Sequence, residues 1–305
     1  MEIELIDNKA GAKLHGLDLS KPITETVFDQ IYATYLEYAN IVITRQEHII
    51  PADYIHFCSR FGEIVRGVPS TSHHNKYSKS DVTRVDAPSY TLPDHPEIFV
   101  ISNIEKNGKP TGLSKAGLYW HSDLYYTDKP SKVTFLLGKE IPAYGGDTLI
   151  LNTYEVFSAM PEALKDRVKD MQIQHSWTKG WSSLFPNRAP LSSEERASTP
   201  DVAHPLVGKH PETGRFFLFP GAIYEFDTPG IRVVDLSDDA SKRLYSDIKT
   251  FTLTKQFIYR HKWQVGDILA TDNLAGMHCA TQFDDQSERR TLYRVTIKGQ
   301  QPQMA

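Results

Sequence analysis

The chain has 305 residues, 40% of them hydrophobic and 11% aromatic, with a formal net charge of -4 and a pI near 6.3. That length can bury a sizeable core, and the missing basic excess excludes an electrostatically driven nucleic-acid binder. The start, MEIELIDNKAGAKLHG, lacks the apolar run of a signal peptide. No stretch approaches the roughly 18 apolar residues of a membrane helix. Two cysteines, Cys58 and Cys279, allow one disulfide on paper but fit a reducing compartment better. The expectation is a cytoplasmic protein with no membrane or nucleic-acid partner.

In chain order, EIELI (2–6) alternates like a strand, and Val27, Phe28, Ile31, Tyr35 and Leu36 recur at helical spacing over 24–39. NIVIT (40–44) reads as a buried strand. Pro51 opens a second helix through Tyr54, Ile55, Cys58 and Phe61, with Gly62 where a C-cap belongs. Periodicity then disappears from Arg66 to Pro93. Strands follow at EIFVIS (97–102), LYWHSDL (118–124), KVTFLLG (132–138) and DTLILN (147–152), then a helix from Tyr154 to Met171. A second Ser- and Pro-rich loop spans 177–203. The remainder reads as strands at HPLVG (204–208), RFFLF (215–219), QFIYRHKW (256–263), GDILATD (266–272) and TLYRVTIKG (291–299), with a helix near 238–250. Short strands rarely joined by helices predict one mainly β domain over 1–305, a sandwich or barrel with flanking helices. Loops longer than about 15 residues inside a compact domain are commonly functional, so 66–93 and 177–203 are candidate active-site lids.

His121-Ser122-Asp123 lies in one of these predicted strands. Residues i and i+2 of a strand share a face, roughly 6.6 Å apart, so an imidazole and a carboxylate there can converge on a metal. Alone, a His-x-Asp is as common as a surface hydrogen-bonded pair. His278, just after the strand GDILATD, adds a second imidazole. Downstream, Arg290, Leu292, Arg294 and Thr296 share one parity, with Tyr293, Val295 and Ile297 on the other face. If the arginines look into a barrel rather than to water, each needs an anion, because an unpaired buried guanidinium is very costly. Two histidines and one carboxylate form the facial triad of non-haem Fe(II), which leaves three positions open. 2-Oxoglutarate fills two of them through its C1 carboxylate and ketone, and its distal carboxylate suits the fork of an arginine.

These blocks resemble the family of taurine dioxygenase and 2,4-dichlorophenoxyacetate dioxygenase (TauD/TfdA). The likeness is carried by AGAKLHGLDLSKPI, FCSRFGEI (57–64), WHSD (120–123), GGDTLILN (145–152), HPLVGKHPETGRFFLF (204–219), TDNLAGMH (271–278) and RRTLYRVTIKG (289–299). The resemblance implies a double-stranded β-helix (jelly-roll, cupin-like) core, with Fe(II), 2-oxoglutarate and O2 as the reactive components. It implies iron ligation by His121, Asp123 and His278, and cosubstrate binding by Thr148 and Arg290. Arg294 falls where acidic substrates meet their counter-charge or where the cosubstrate is assisted. Thr271 and Leu274 depart from the Trp and Arg common at those positions, which bears on the substrate. The retained Asp123 argues for hydroxylation over halogenation.

The expected reaction is oxidation of a C–H bond of a small molecule bearing a carboxylate, sulfonate or phosphonate, with release of succinate and CO2. Desaturation or another oxidative rearrangement would use the same residues. Tyr125, Tyr126, His74 and Lys179 are further candidates for substrate contact, and the family likeness implies a dimer or tetramer. Two rivals stand outside this class. A zinc hydrolase leaves Arg290 unexplained and lacks a placed general base, and a barrel binding a small acid without turnover leaves the intact triad unexplained.

Overall fold

The computed structural model describes residues 1–66, 90–114, 116–184, 190–224 and 230–305. An eight-stranded sheet runs in the order Glu2–Leu5, Ala12–His15, Asn40–Ile43, Ile268–Asp272, Val133–Glu140, Thr291–Thr296, His95–Ser102, Thr91–Leu92. Its pairs are antiparallel except that of Ala12–His15 with Asn40–Ile43. A five-stranded sheet orders Ala222–Ile223, Trp120–His121, Gly276–Ala280, Thr148–Asn152 and Tyr259–His261.

Strand alternation sorts each sheet's side chains into two layers. From the larger sheet, Phe135, Leu137, Ile268, Ala270, Val295 and Ile297 pack outward against the helices Glu25–Tyr38 and Pro51–Ser59. The alternate residues Val42, Leu136, Leu269 and Leu292 turn inward and meet Ile150 of the smaller sheet and Trp263. From the smaller sheet, Trp120, Leu151, Met277 and Cys279 face the helix Asp238–Thr252 and its neighbours. The result is helices, sheet, sheet and helices in layers, the double-stranded β-helix arrangement expected. Arg294 and Thr296 share the inward parity of Leu292.

Several boundaries differ from the sequence expectations, each for a local reason. The 118–124 strand shrinks to Trp120–His121, because Ser122 N donates to Gly221 O and Leu124 takes a left-handed φ of 60°. The 154–171 helix is two helices, Thr153–Ala159 and Glu162–Val168, since Met160 before Pro161 is extended. The first of the 3.6-periodic C-termini also moves: the helix from Pro51 ends at Ser59, and Gly62 (φ +144°) instead makes room for Ile297, whose Cγ2 would lie 2.8 Å from an added Cβ. HPLVG divides between two sheets as Val202–Pro205 and Val207–Lys209, and QFIYRHKW keeps only Tyr259–His261 as strand after a 3-10 turn at Lys255–Phe257.

The 177–203 segment is not irregular throughout. It carries helices at Trp177–Leu184 and Ser193–Ser198, the latter started by a capping box between Ser192 and Glu195. Most of the 66–93 loop, including His74, lies outside the described residues. Cys58 and Cys279 are buried in separate core clusters, and no disulfide joins them. Among the described residues no helix is long and apolar enough to cross a membrane.

His175, 1% exposed, has neither ring nitrogen hydrogen-bonded, and burial with the neighbouring His204 brings its pKa down to about 3. The unfolded chain takes up that proton near pH 6.5, so folding stability falls as pH drops from about 6.5 toward 3, by up to ~1.4 kcal/mol per pH unit. In His175→Phe the loss of Tm between pH 7 and pH 5 should be smaller than in the parent. Identical pH slopes by calorimetry would contradict this assignment.

Candidate active site

The smaller sheet brings the two histidines together by register alone. His121 and His278 are direct cross-strand partners, their ring centroids 4.3 Å apart. His278 in turn faces Ile150 in the next strand, which sets it on the inward face. Asp123 does not reach them as an i+2 strand neighbour. The chain has already left the strand, and the turn at Leu124 returns the carboxylate toward the rings, with Oδ1 3.6 Å from His121 Nε2. Ligand atoms of His121, Asp123 and His278 all lie within 4.8 Å of one another, the one such group of three that stands out among the described residues.

Each member is oriented by a second contact. His121 Nδ1 lies 2.8 Å from the Tyr119 carbonyl, so that nitrogen carries the proton and Nε2 keeps its lone pair. Gly117, at φ +70°, leaves space for this ring, since a Cβ there would sit 2.9 Å from His121 Cε1. Asp123 is fixed at both ends of its residue. Its backbone N–H donates to Asn273 Oδ1 at 2.7 Å, and Thr134 donates to Oδ2 at 2.6 Å. Asn273 Nδ2 donates to that same Thr134 hydroxyl at 3.0 Å, which closes a three-residue clamp and leaves Oδ1 toward the histidines. Asn273 itself sits in a turn held by Asp272, whose Oδ1 accepts from Leu274 N and Ala275 N.

The electrostatics favour a cation. Burial would raise the Asp123 carboxyl, yet Arg294, His121 and His278 together hold it well below the usual carboxylate range. Burial and the adjacent His121 bring His278 down to about 3, so its ring is neutral near pH 7. Two imidazoles and one carboxylate with ligand atoms within 4.8 Å of one another are a donor set that would hold a divalent metal.

Two arginines complete the interior. Arg290 is 7% exposed, and its Nε donates to Gly146 O at 2.8 Å. Burial lowers its pKa to about 10 against the pull of Asp147, whose carboxylate is engaged by Arg260 at 3.1 Å. No carboxylate pairs with Arg290 among the described residues. Arg294 lies over Phe99 (4.5 Å to the ring centroid), reaches Asp123 Oδ1 at 3.8 Å, and has a buried Nε without a hydrogen-bond partner among the described residues. Thr148 faces inward at the start of its strand, two residues before Ile150, and its hydroxyl accepts from Trp263 Nε1 at 3.0 Å.

Of the other candidates, Tyr125 is 4% exposed and its phenol bonds that of Tyr224, while Tyr126 stacks on Trp177 at 4.2 Å. Lys179 belongs elsewhere: its ammonium pairs with Asp201 at 3.3 Å on the surface and is 61% exposed. Sequence reasoning missed Tyr119, which packs between the His121 and Tyr224 rings at 4.9 and 4.8 Å, and also Tyr224, Thr134, Asn273 and Trp263. Asn273 stands in the same motif as His278 and could have been found there; Thr134 and Tyr224 carry no local signal.

A buried His-Asp-His group within a double-stranded β-helix fits an Fe(II)- and 2-oxoglutarate-dependent dioxygenase, an oxidoreductase that also uses O2. The chain belongs to the family described as taurine catabolism dioxygenase TauD, TfdA, whose model matches residues 2–296. Pentalenolactone F synthase of Streptomyces avermitilis is 28% identical over 309 residues, covering 97% of this chain and 93% of that one. The alpha-ketoglutarate-dependent 2,4-dichlorophenoxyacetate dioxygenase of Cupriavidus pinatubonensis is 24% identical over 292 residues, 93% of each chain. The crystal structure of AAD-2 with Mn(II) and N-oxalylglycine shares the fold at a TM-score of 0.78 and 23% identity, covering 99% of both chains.

The clamp on Asp123 makes a prediction about the metal. Asn273→Ala removes both its acceptor and its donor, and loss of such supporting contacts costs about 10–100-fold in metal affinity. Mn(II) titration monitored by electron paramagnetic resonance should show that loss in a variant whose circular dichroism is unchanged. Undiminished affinity would show that the clamp does not position the carboxylate.

Proposed function

We propose that His121, Asp123 and His278 hold the Fe(II), and that Thr148 and Arg290 receive the distal carboxylate of 2-oxoglutarate. The observation that carries this reading is the buried His-Asp-His group, together with a buried Arg290 that pairs with no carboxylate among the described residues. When bound, the metal supplies O2 activation coupled to conversion of 2-oxoglutarate into succinate and CO2. The chain's own residues bind, orient and exclude. His121 presents Nε2 because its Nδ1 proton is given to Tyr119 O, and Asp123 presents Oδ1 because Thr134 occupies Oδ2. Arg290 and Thr148 fix the far end of the cosubstrate, so its ketone end is delivered to the open side of the metal.

Hydroxylation of a small anionic molecule is the outcome this arrangement supports best. Arg294 offers the counter-charge, with an Nε that has no hydrogen-bond partner among the described residues and a guanidinium over Phe99, close to Asp123. A carboxylate, sulfonate or phosphonate matches it. Tyr119, Tyr125 and Tyr224 form a water-poor wall beside His121, and burial pushes the Tyr119 phenol up to about 12, so it stays protonated. Two buried cysteines not joined to each other suit a reducing, cytoplasmic setting.

Purified protein with Fe(II), ascorbate and 2-oxoglutarate should release succinate, faster when a fitting small acid is added. His121→Ala or Asp123→Ala should lower turnover by at least about 1,000-fold, while Arg290→Ala should chiefly raise the 2-oxoglutarate requirement, by roughly 100-fold for a lost charge-assisted contact. Succinate formation that survives Asp123→Ala, or a 2-oxoglutarate requirement indifferent to Arg290→Ala, would overturn these assignments.

A further inference from the structure

The Thr148 hydroxyl has one proton to give and two lone pairs to offer, and its neighbours decide where the proton goes. Its side chain makes one hydrogen bond among the described residues, received from Trp263 Nε1 at 3.0 Å. An indole N–H only donates. The contact therefore occupies a lone pair of Thr148 and leaves the hydroxyl proton for another acceptor. Thr148 is 2% exposed and its side chain is on the inward face, so that acceptor must lie inside the barrel.

The indole is held in a built slot. Trp263 is 6% exposed and packs with Leu136, Ile150, Leu269 and Leu292, with the edge of His261 4.6 Å from it. His261 is the cross-strand partner of Thr148, which fixes the distance between indole and hydroxyl through the backbone. On the far side stands Gly138. A Cβ there would lie 3.2 Å from Trp263 Cε3, 3.1 Å from Gln264 O and 3.2 Å from Ile141 Cδ1, and the glycine needs no left-handed backbone, so its small size leaves room for the indole and these two neighbours. The ladder shifts at this place too, with Leu292 facing Gly138 and Thr291 facing Glu140.

We infer that Trp263 is a positioning residue for the cosubstrate: its N–H, fixed in the slot beside Gly138, turns the Thr148 hydroxyl into a donor directed at the distal carboxylate next to Arg290. This rests on the reading of Thr148 and Arg290 as that carboxylate's subsite. Without the indole the hydroxyl is free to rotate and to donate elsewhere, so part of the binding free energy goes to ordering it. If Trp263 were only a core residue satisfying its own N–H, its loss would change stability and leave cosubstrate affinity alone.

The test uses the full chain loaded with Mn(II), in which 2-oxoglutarate binding is measured by equilibrium dialysis without turnover, alongside KM and kcat of the Fe(II) enzyme. Trp263→Phe keeps the ring and removes the donor. It should weaken 2-oxoglutarate binding and raise its KM about fivefold, the size of one neutral hydrogen bond, with a smaller change in kcat at saturation and an unaltered Mn(II) affinity. In a Thr148→Val background the same substitution should add less than about twofold, because its effect travels through the hydroxyl. Gly138→Ala, which crowds the indole without removing it, should shift KM in the same direction and serves if Trp263→Phe folds poorly. Unchanged 2-oxoglutarate affinity in both variants, or full additivity with Thr148→Val, overturns the inference while the subsite stands. If Thr148→Val itself leaves affinity unchanged, the subsite assignment falls and the inference with it.

Discussion

Everything at this site depends on one register: His121 lies directly opposite His278 in the smaller sheet. Side chains in a sheet alternate with period two, so a slip of one residue in either strand would send one ring outward into the layer occupied by Trp120 and Met277. The register is guarded on both sides. Outward-facing Trp120, Leu151, Met277 and Cys279 are packed against helices, and inward-facing Ile150 is locked into the inter-sheet cluster. The geometry of the candidate metal group is thus tied to core packing on the other face of two short strands.

The second constraint is charge. The interior holds Asp123, Arg294, His121 and His278 among Val42, Leu136, Ile150 and Leu269, and Arg290 is buried as well. Asp123 and Arg294 offset each other in part at 3.8 Å, whereas Arg290 donates to a backbone carbonyl and, among the described residues, feels only the more distant Asp147 that Arg260 engages. In the proposed function, a divalent metal ion and Arg290 add positive charge here, and a dianionic chelator would take up part of it, which lowers the cost of burying each. The clamp of Asn273 and Thr134 on Asp123 adds direction to this balance by reserving one carboxylate oxygen.

Much of this was legible in the sequence because it is local or periodic. The parity of Leu292, Arg294 and Thr296 predicted their common face, although Arg290 falls just before that strand, and the motif blocks pointed to the candidate metal group and the fold. The path of Asp123 was misread, since its approach depends on a left-handed Leu124 and on Asn273, about 150 positions away, neither visible in the strand pattern. The helices of the second loop were obscured by Ser and Pro, although Ser192 and Glu195 form a standard start signal. Lys179 looked available in the sequence and is taken by Asp201, a tertiary pairing that no spacing encodes. The role of Trp263 was hidden for the same reason, because Gly138 and Thr148 meet it from two other strands.

The account is tested most directly by a crystal structure with Mn(II) and 2-oxoglutarate bound. It predicts the ion coordinated by one nitrogen each of His121 and His278 and by Asp123 Oδ1, with the distal carboxylate on Arg290 and the Thr148 hydroxyl. An ion held by a different group of residues, or a distal carboxylate seated on Arg294 instead, would contradict it.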